Sequence, residues 1–436
     1  MRYWCERAWL DDGPRPGVLI EVDGTHIASI TTADSQPHGA TRLPGLVLPG
    51  LANAHSHAFH RALRGRATGE GTFWSWREQM YAVAGKLDPD TYRRLATAVY
   101  TEMALAGITT VGEFHYLHHP PGGGRYDDPN EMSAALAQAA HDAGIRLTLL
   151  DTCYLTSGFG TPVEGVQRRF SDGDAQAWAE RAERFTVDCA RVRLGAAVHS
   201  VRAVPPEQIA EIAAWAHRFS APLHVHLSEQ RKENEACLAA HGRTPAELLD
   251  SAGALGPDTT AVHATHLTGH DLRLLGGSGT GTCLCPTTEA DLGDGIGPAL
   301  ALDAAGSPLS LGSDGHSTID VLAEAHAVES GQRLSTERRG HFGAERLLEM
   351  ASTTGHRALG WLDAGRIAPG QRADLVAVDL NGTRLAAVPP AAVPAVARAD
   401  DVRHVIANGR GIVRDGEHEH IPDPGRRLRP LLEELL

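Results

Sequence analysis

The sequence predicts an α/β protein: a (β/α)8 barrel with a small β domain formed by its N- and C-terminal segments. Three observations predict it. Eight short apolar runs alternate with longer helix-like stretches through the middle of the chain. No glycine-rich phosphate fingerprint follows the first run, which argues against an open doubly wound sheet. The two ends have a different texture, with alternating residues broken by glycine turns.

Residues 1–46 contain "VLIEVDGTHIASI", two alternating runs around a glycine-bearing turn, and read as a hairpin of the small domain. The barrel is expected over 47–365. Its candidate strands are "VLPGLANAHSH" (47–57), "GITTVGEF" (107–114), "IRLTLLDTCYL" (145–155), "VRLGAAVHS" (192–200), "APLHVHLSE" (221–229), "TTAVHATHL" (259–267), "GTGTCLCP" (279–286) and "SPLSLGSD" (307–314). Between them lie helical patterns such as "DPDTYRRLATAVYTEMALAG", with acids at its start and glycine at its end. "PPEQIAEIAAWAHRF" is another, with proline in its first turn. Residues 366–436 hold "ADLVAVDL" and "VRHVIANGRGIV", again β-like, and are expected to meet the N-terminal segment in one domain beside the barrel. The Ala- and Pro-rich stretch 381–400 reads as an irregular connection.

Composition bounds the function. The 40 Lys plus Arg against 54 Asp plus Glu give a formal charge of −14, which argues against nucleic acid or an anionic membrane as partner. A small anionic substrate stays open, because a pocket's local field can oppose the global one. The six cysteines are scattered without a C-x-x-C pair, so a reducing cytoplasm is expected. The start "MRYWCERAWLDDG" lacks a signal-peptide core, and no apolar run is long enough to span a membrane.

Polar residues gather where barrel strands end, which is where barrel chemistry sits. "HSHAFH" puts His55 and His57 two apart, so both rings leave one face of a strand, while His60 falls out of that register. The fifth run offers His224, His226 and Glu229, the sixth His263 and His266, the eighth Asp314 and His316. His55, His57, one fifth-strand histidine and Asp314 make a nitrogen and carboxylate donor set suited to zinc with a position left for water. Each fragment alone is weak: H-x-H is short, "HVH" fits core histidines, and "SDG" is a common turn. Their order across a barrel-like chain carries the weight.

With that order, a first strand opened by Pro-Gly and the closing "GRIAPGQRADLVAVD", the chain resembles the amidohydrolase superfamily in its mononuclear-metal deaminase branch. More specifically, "AHSHAFHRALRG", "FWSWREQMY", "GEFHYLHH", "HSVRAV", "HVHLSEQ", "HATHL", "CPTTEADLGDG" and "LGSDGHST" are similar to motifs of the formimidoylglutamate deiminase family, from about residue 48 to 375. The resemblance implies one zinc per chain held by His55, His57, His226 and Asp314. It also implies Glu229 as acid/base, His263 beside the attacking water or the developing charge, and Asp314 as the group that takes the water's proton. The implied reaction is hydrolytic deimination of N-formimino-L-glutamate to N-formyl-L-glutamate and ammonia, in histidine degradation. For a dicarboxylate substrate it implies Arg77 and Arg202, with Tyr116, His199 and His60 as further contacts. His60 departs from the glutamine of many relatives. By analogy, "GTFWSWREQMYAVAG" is expected as a lid or partner contact of a homodimer. The competing expectations are a purine, pterin or related amidine deaminase of the same branch, which needs no pair of arginines, and a non-catalytic metal-binding scaffold.

Overall fold

The structure, a computed structural model, describes residues 1–66, 73–186 and 188–436. Residues 71 and 72, which open the segment expected as a lid or partner contact, lie outside the described residues.

Eight parallel strands form the barrel and neighbour one another in chain order: Leu51–Ser56, Ile108–His115, Arg146–Cys153, Val192–Ser200, Leu223–Leu227, Thr259–His263, Gly281–Leu284 and Leu309–Leu311. All but a few of their residues are buried, because helices cover the outside and side chains fill the inside. The helices obey their sequence signals. Pro89–Leu105 starts on Asp88, whose carboxylate accepts from the Thr91 backbone while the Thr91 hydroxyl accepts from Asp88 N–H, a reciprocal cap with proline in the first turn.

The first and eighth strands meet only near their C-terminal ends. Ser56 bridges Asp314, Asp314 N–H donates to the His55 carbonyl (3.0 Å), and His57 N–H donates to the Asp314 carbonyl (3.3 Å). Gly312 lets them approach: a Cβ there would lie 2.7 Å from that of His55. The barrel is therefore stitched shut where its histidines emerge.

The chain ends share a second eight-stranded sheet. Arg2–Leu10, Gly13–Asp23, His26–Thr32 and Thr41–Pro49 come from the front, and Leu375–Val378, Val402–Ala407, Arg410–Arg414 and Glu417–His418 from the back. They join where Thr41–Pro49 runs antiparallel to Leu375–Val378, with Pro49 opposite Leu375. Asn408-Gly409 and Asp415-Gly416 make the expected tight turns, all four residues with positive φ. The sheet curls over its own core of Tyr3, Ile20, Ile27, Val47, Leu375 and Ile406, and the Tyr3 hydroxyl donates across it to the Gly409 carbonyl (3.0 Å).

Two sequence expectations are corrected. The run 47–57 is not one barrel strand: Thr41–Pro49 belongs to the terminal sheet and Leu51–Ser56 to the barrel. Gly50 is the junction, its N–H bonded to the Asp374 carbonyl (2.9 Å), and continuous hydrophobicity hid it because both strands are buried. The tail is not all β: Pro424–Leu435 is a helix that lies against Pro89–Leu105, with Leu428, Leu431 and Leu435 buried at helical spacing.

Between the two sheets, Arg146 is fully buried and holds both Asp374 oxygens (3.0 and 2.5 Å), Asn408 Oδ1 (2.8 Å) and Thr110 Oγ1 (2.7 Å), with its guanidinium over the Trp361 ring. No helix among the described residues is long and apolar enough to cross a membrane.

Candidate active site

The C-terminal strand ends carry unusual backbone. Ser228, His263, Ala264, Asp314 and His316 all have positive φ, a conformation that non-glycine residues adopt at some cost and that concentrates at functional sites.

His55, His57, His226 and Asp314 are buried together, with one candidate ligand atom of each within 4.8 Å of the others. Asp314 Oδ1 lies 3.1 Å from His55 Nε2 and 3.3 Å from His57 Nε2, and His226 Nε2 lies 3.1 Å from His55 Nε2. A tetrahedral set with bonds of about 2.0–2.2 Å has donor atoms about 3.3–3.6 Å apart, so the spacing fits a small ion. The tautomers fit as well. His57 Nδ1 donates to the Phe114 carbonyl (3.0 Å) and His226 Nδ1 to the His199 carbonyl (2.9 Å), which leaves both Nε2 lone pairs facing inward. Of the four converging atoms only His55 Nε2 is left able to carry a proton, and an array of acceptors so placed suits a cation. Burial supports this: it pushes the His55 pKa down to about 3 and that of His226 well below normal, so the rings stay neutral. Asp314 would be raised by burial, but the bond from His55 and the charge of nearby His263 hold it well below the usual carboxylate range.

The fifth-strand alternatives separate. His224 bonds the Ala358 carbonyl (2.9 Å) and lies outside the cluster, whereas His226 joins it. Of the sixth-strand pair, His263 faces the site: its Nε2 is 4.0 Å from Glu229 Oε1 and its Nδ1 3.4 Å from Glu289 Oε1. Burial disfavours a charged His263, but Glu229, Glu289 and Asp314 outweigh it and raise its pKa well above normal. Glu229 is raised by burial, with Asp314 and Glu289 adding and His263 and Arg202 opposing. Each of the two groups thus favours its protonated form close to the donor cluster.

One cavity joins these groups to the residues expected around a substrate: Arg77, Tyr116, His199, Arg202 and His60 line it with His57, His226, Glu229, His263 and Asp314. His60 Nε2 is bonded to the Tyr116 hydroxyl (2.9 Å), out of the donor cluster as its register foretold. Arg77 Nε donates to the Tyr81 hydroxyl (2.5 Å), which also accepts from Gln167 (2.9 Å), while Arg202 Nε is 3.9 Å from buried Glu233. Sequence reasoning missed Tyr81, Gln167, Tyr154, Glu233 and Glu289. Glu289 sits inside the quoted "CPTTEADLGDG" and Tyr81 closes the quoted "FWSWREQMY" four residues after Arg77 on one helix, which were their available signals; Gln167, Tyr154 and Glu233 join through folded contacts.

Residues 46–412 match the Amidohydrolase family. The chain is 39% identical to a Pseudomonas aeruginosa formimidoylglutamate deiminase, over 99% of each chain. It is 32% identical to an 8-oxoguanine deaminase of the same species, over 92% of this chain and 91% of the other. Among solved structures, an amidohydrolase from Brucella melitensis superposes with a TM-score of 0.92 at 33% identity, over 100% of this chain and 99% of the other. An adenosine deaminase from Xanthomonas campestris with bound zinc shares the fold, with a TM-score of 0.84 at 21% identity over 100% and 98%. From its own donor set to these likenesses across nearly its whole length, the chain belongs to the amidohydrolase family of metal-dependent hydrolases.

Proposed function

We propose that this enzyme hydrolyses N-formimino-L-glutamate to N-formyl-L-glutamate and ammonia, as a step of histidine degradation, with one zinc per chain held by His55, His57, His226 and Asp314. The observation that carries the reading is the meeting of Arg77 and Arg202 in the cavity of the donor cluster, in a chain 39% identical over nearly its whole length to a formimidoylglutamate deiminase. A protein of net charge −14 needs such local cations to hold a dicarboxylate, and the guanidinium fork suits carboxylates.

When bound, zinc lowers the pKa of water toward neutrality and so supplies a nucleophile. The chain's residues do the rest. Arg77 and Arg202, with Tyr116, His199 and His60, hold the substrate so that its formimino carbon faces the donor cluster. Asp314 takes the proton of the attacking water. Glu229, whose burial favours the protonated form, delivers a proton to the imine nitrogen. The carbon–nitrogen bond then breaks as the nitrogen takes up the proton held by Asp314 and the carbon hydroxyl returns a proton to Glu229, so that ammonia leaves, the formyl carbonyl forms and both carboxyl groups regain their starting states. His263, beside Glu229, stabilises the negative charge that develops on oxygen.

A second reading, a purine deaminase, has support in the 8-oxoguanine deaminase likeness and the aromatic lining of Trp76, Tyr116, Tyr154 and Phe170. It leaves the two arginines without a task. The deciding experiment measures ammonia release from zinc-replete protein given N-formimino-L-glutamate, with 8-oxoguanine, guanine and S-adenosylhomocysteine in parallel and metal content on the same sample. Release from the first alone is expected; release from a purine alone, at full metal, would replace the substrate. Within this reading, Arg202→Met should lower kcat/KM for the dicarboxylate mainly through KM, since a carboxylate contact made equally in ground and transition states is lost. Unchanged KM and kcat/KM would remove Arg202 from substrate binding. The reading also carries a cytoplasmic setting, supported by the absence of any disulfide among the five buried cysteines, and a homodimer, which sedimentation would test.

A further inference from the structure

We propose that Glu113 and His316 are positioning residues for the metal donors, acting through Ser56 and Ser313; this rests on the metal reading above. Neither residue reaches the cavity, and both are fully buried at the seam of the barrel. Glu113 Oε2 accepts from the Ser56 hydroxyl (2.7 Å) and Oε1 from Ala58 N–H (2.6 Å), so one carboxylate grips the chain on both sides of His57.

With the Glu113 carboxylate ionised, which burial opposes by raising its pKa to about 7 and the bonds from Ala58 and Ser56 favour, the remaining bonds have one consistent direction. Ser56, having given its proton to Glu113, accepts from His316 Nε2 (3.1 Å). That fixes the tautomer, so His316 Nδ1 accepts from the Ser313 hydroxyl (3.0 Å). Ser313 Oγ in turn accepts from Asn53 Nδ2 (2.7 Å), while Asn53 Oδ1 accepts Ser313 N–H (2.9 Å). Every proton in the chain has one donor and one acceptor. The chain ties the backbone beside His57, on the first strand, to the backbone beside Asp314, after the eighth. The main-chain bonds between these two segments run through the donors themselves, from Asp314 to His55 and from His57 to Asp314. His316 itself has a left-handed backbone (φ 59°), as do Ser228, His263, Ala264 and Asp314 at the other strand ends around the site.

Ser56→Ala cuts the chain at its middle while removing one oxygen. Glu113→Gln tests it from the end, because an amide cannot accept through both of its atoms. Each is expected to weaken zinc binding about 10–100-fold in chelator competition and to change the visible absorption bands of the cobalt(II)-loaded protein, which report donor geometry. A merely structural role would lower the melting midpoint and leave metal affinity and cobalt bands as they were. Zinc affinities within about threefold of wild type together with unaltered bands, in Ser56→Ala alone should Glu113→Gln not fold, would overturn the assignment. A wild-type protein that takes up neither zinc nor cobalt would instead overturn the metal reading, and this assignment with it.

Discussion

Glu229→Gln protein is expected to keep its full metal content and to lose about 10²–10⁴-fold in kcat, the usual worth of a positioned proton donor and acceptor. The substitution is nearly isosteric and leaves His55, His57, His226 and Asp314 untouched. An amide still fills the space 4.0 Å from His263 Nε2 and still donates a hydrogen bond, but it carries no proton to the leaving nitrogen. KM should change less than kcat, because the loss is felt where the proton moves. Metal analysis beside steady-state ammonia release makes the measurement. Near-normal turnover would take Glu229 out of proton transfer, and loss of metal in step with activity would reassign it to holding the ion.

The second large effect is expected far from the chemistry. Arg146→Ala should destabilise the protein by about 3–5 kcal/mol, as removal of one partner of a buried ion pair does. The guanidinium is bidentate to Asp374 and also bonds Asn408 and Thr110, so its loss leaves the Asp374 charge without its counter-ion and Thr110 Oγ1 without this donor in a buried interface, while Asn408 Oδ1 keeps Arg372. Acid unfolding should respond as well. Burial alone would raise Asp374, but Arg146 outweighs it and lowers the carboxyl below its usual value. That stability is present above the unfolded carboxyl pKa, about 3.9, and is lost as pH falls through the lower folded value. Without Arg146 the folded pKa rises, so unfolding on acidification should begin at higher pH. Urea midpoints across pH test both statements. A change under about 0.5 kcal/mol would show that the interface relaxes around the loss.

Much of the barrel was legible because buried parallel strands are short apolar runs and the helices between them carry caps. Val192–Ser200 coincides with its apolar run, and the other barrel strands fall within a residue of their runs or inside them. Where two buried strands abut, as at Gly50, hydrophobicity has no contrast and the boundary disappeared. At the site, the histidines and Asp314 were legible as strand-end residues, while the choice of His226 over His224 needed more than alternation. Both histidines have the same parity, and which neighbour each meets is decided by strand tilt and barrel closure. Glu113 was invisible as a functional residue for a related reason. Its partners Ser56 and Ala58 are more than fifty positions away, and only the folded seam brings them into reach.

The joint between Thr41–Pro49 and Leu375–Val378 has a consequence for how the protein is made. The ribosome delivers the first strand of that pair more than three hundred residues before the second. Through most of synthesis the N-terminal strands therefore carry an unpaired edge, open to pairing with another chain. Loop closure over such a separation also comes late and is entropically costly, so this joint should be among the last parts of the molecule to form. Molecules cut short before residue 375 would never cover that edge, and they should aggregate or fall to proteases even when every barrel strand is present.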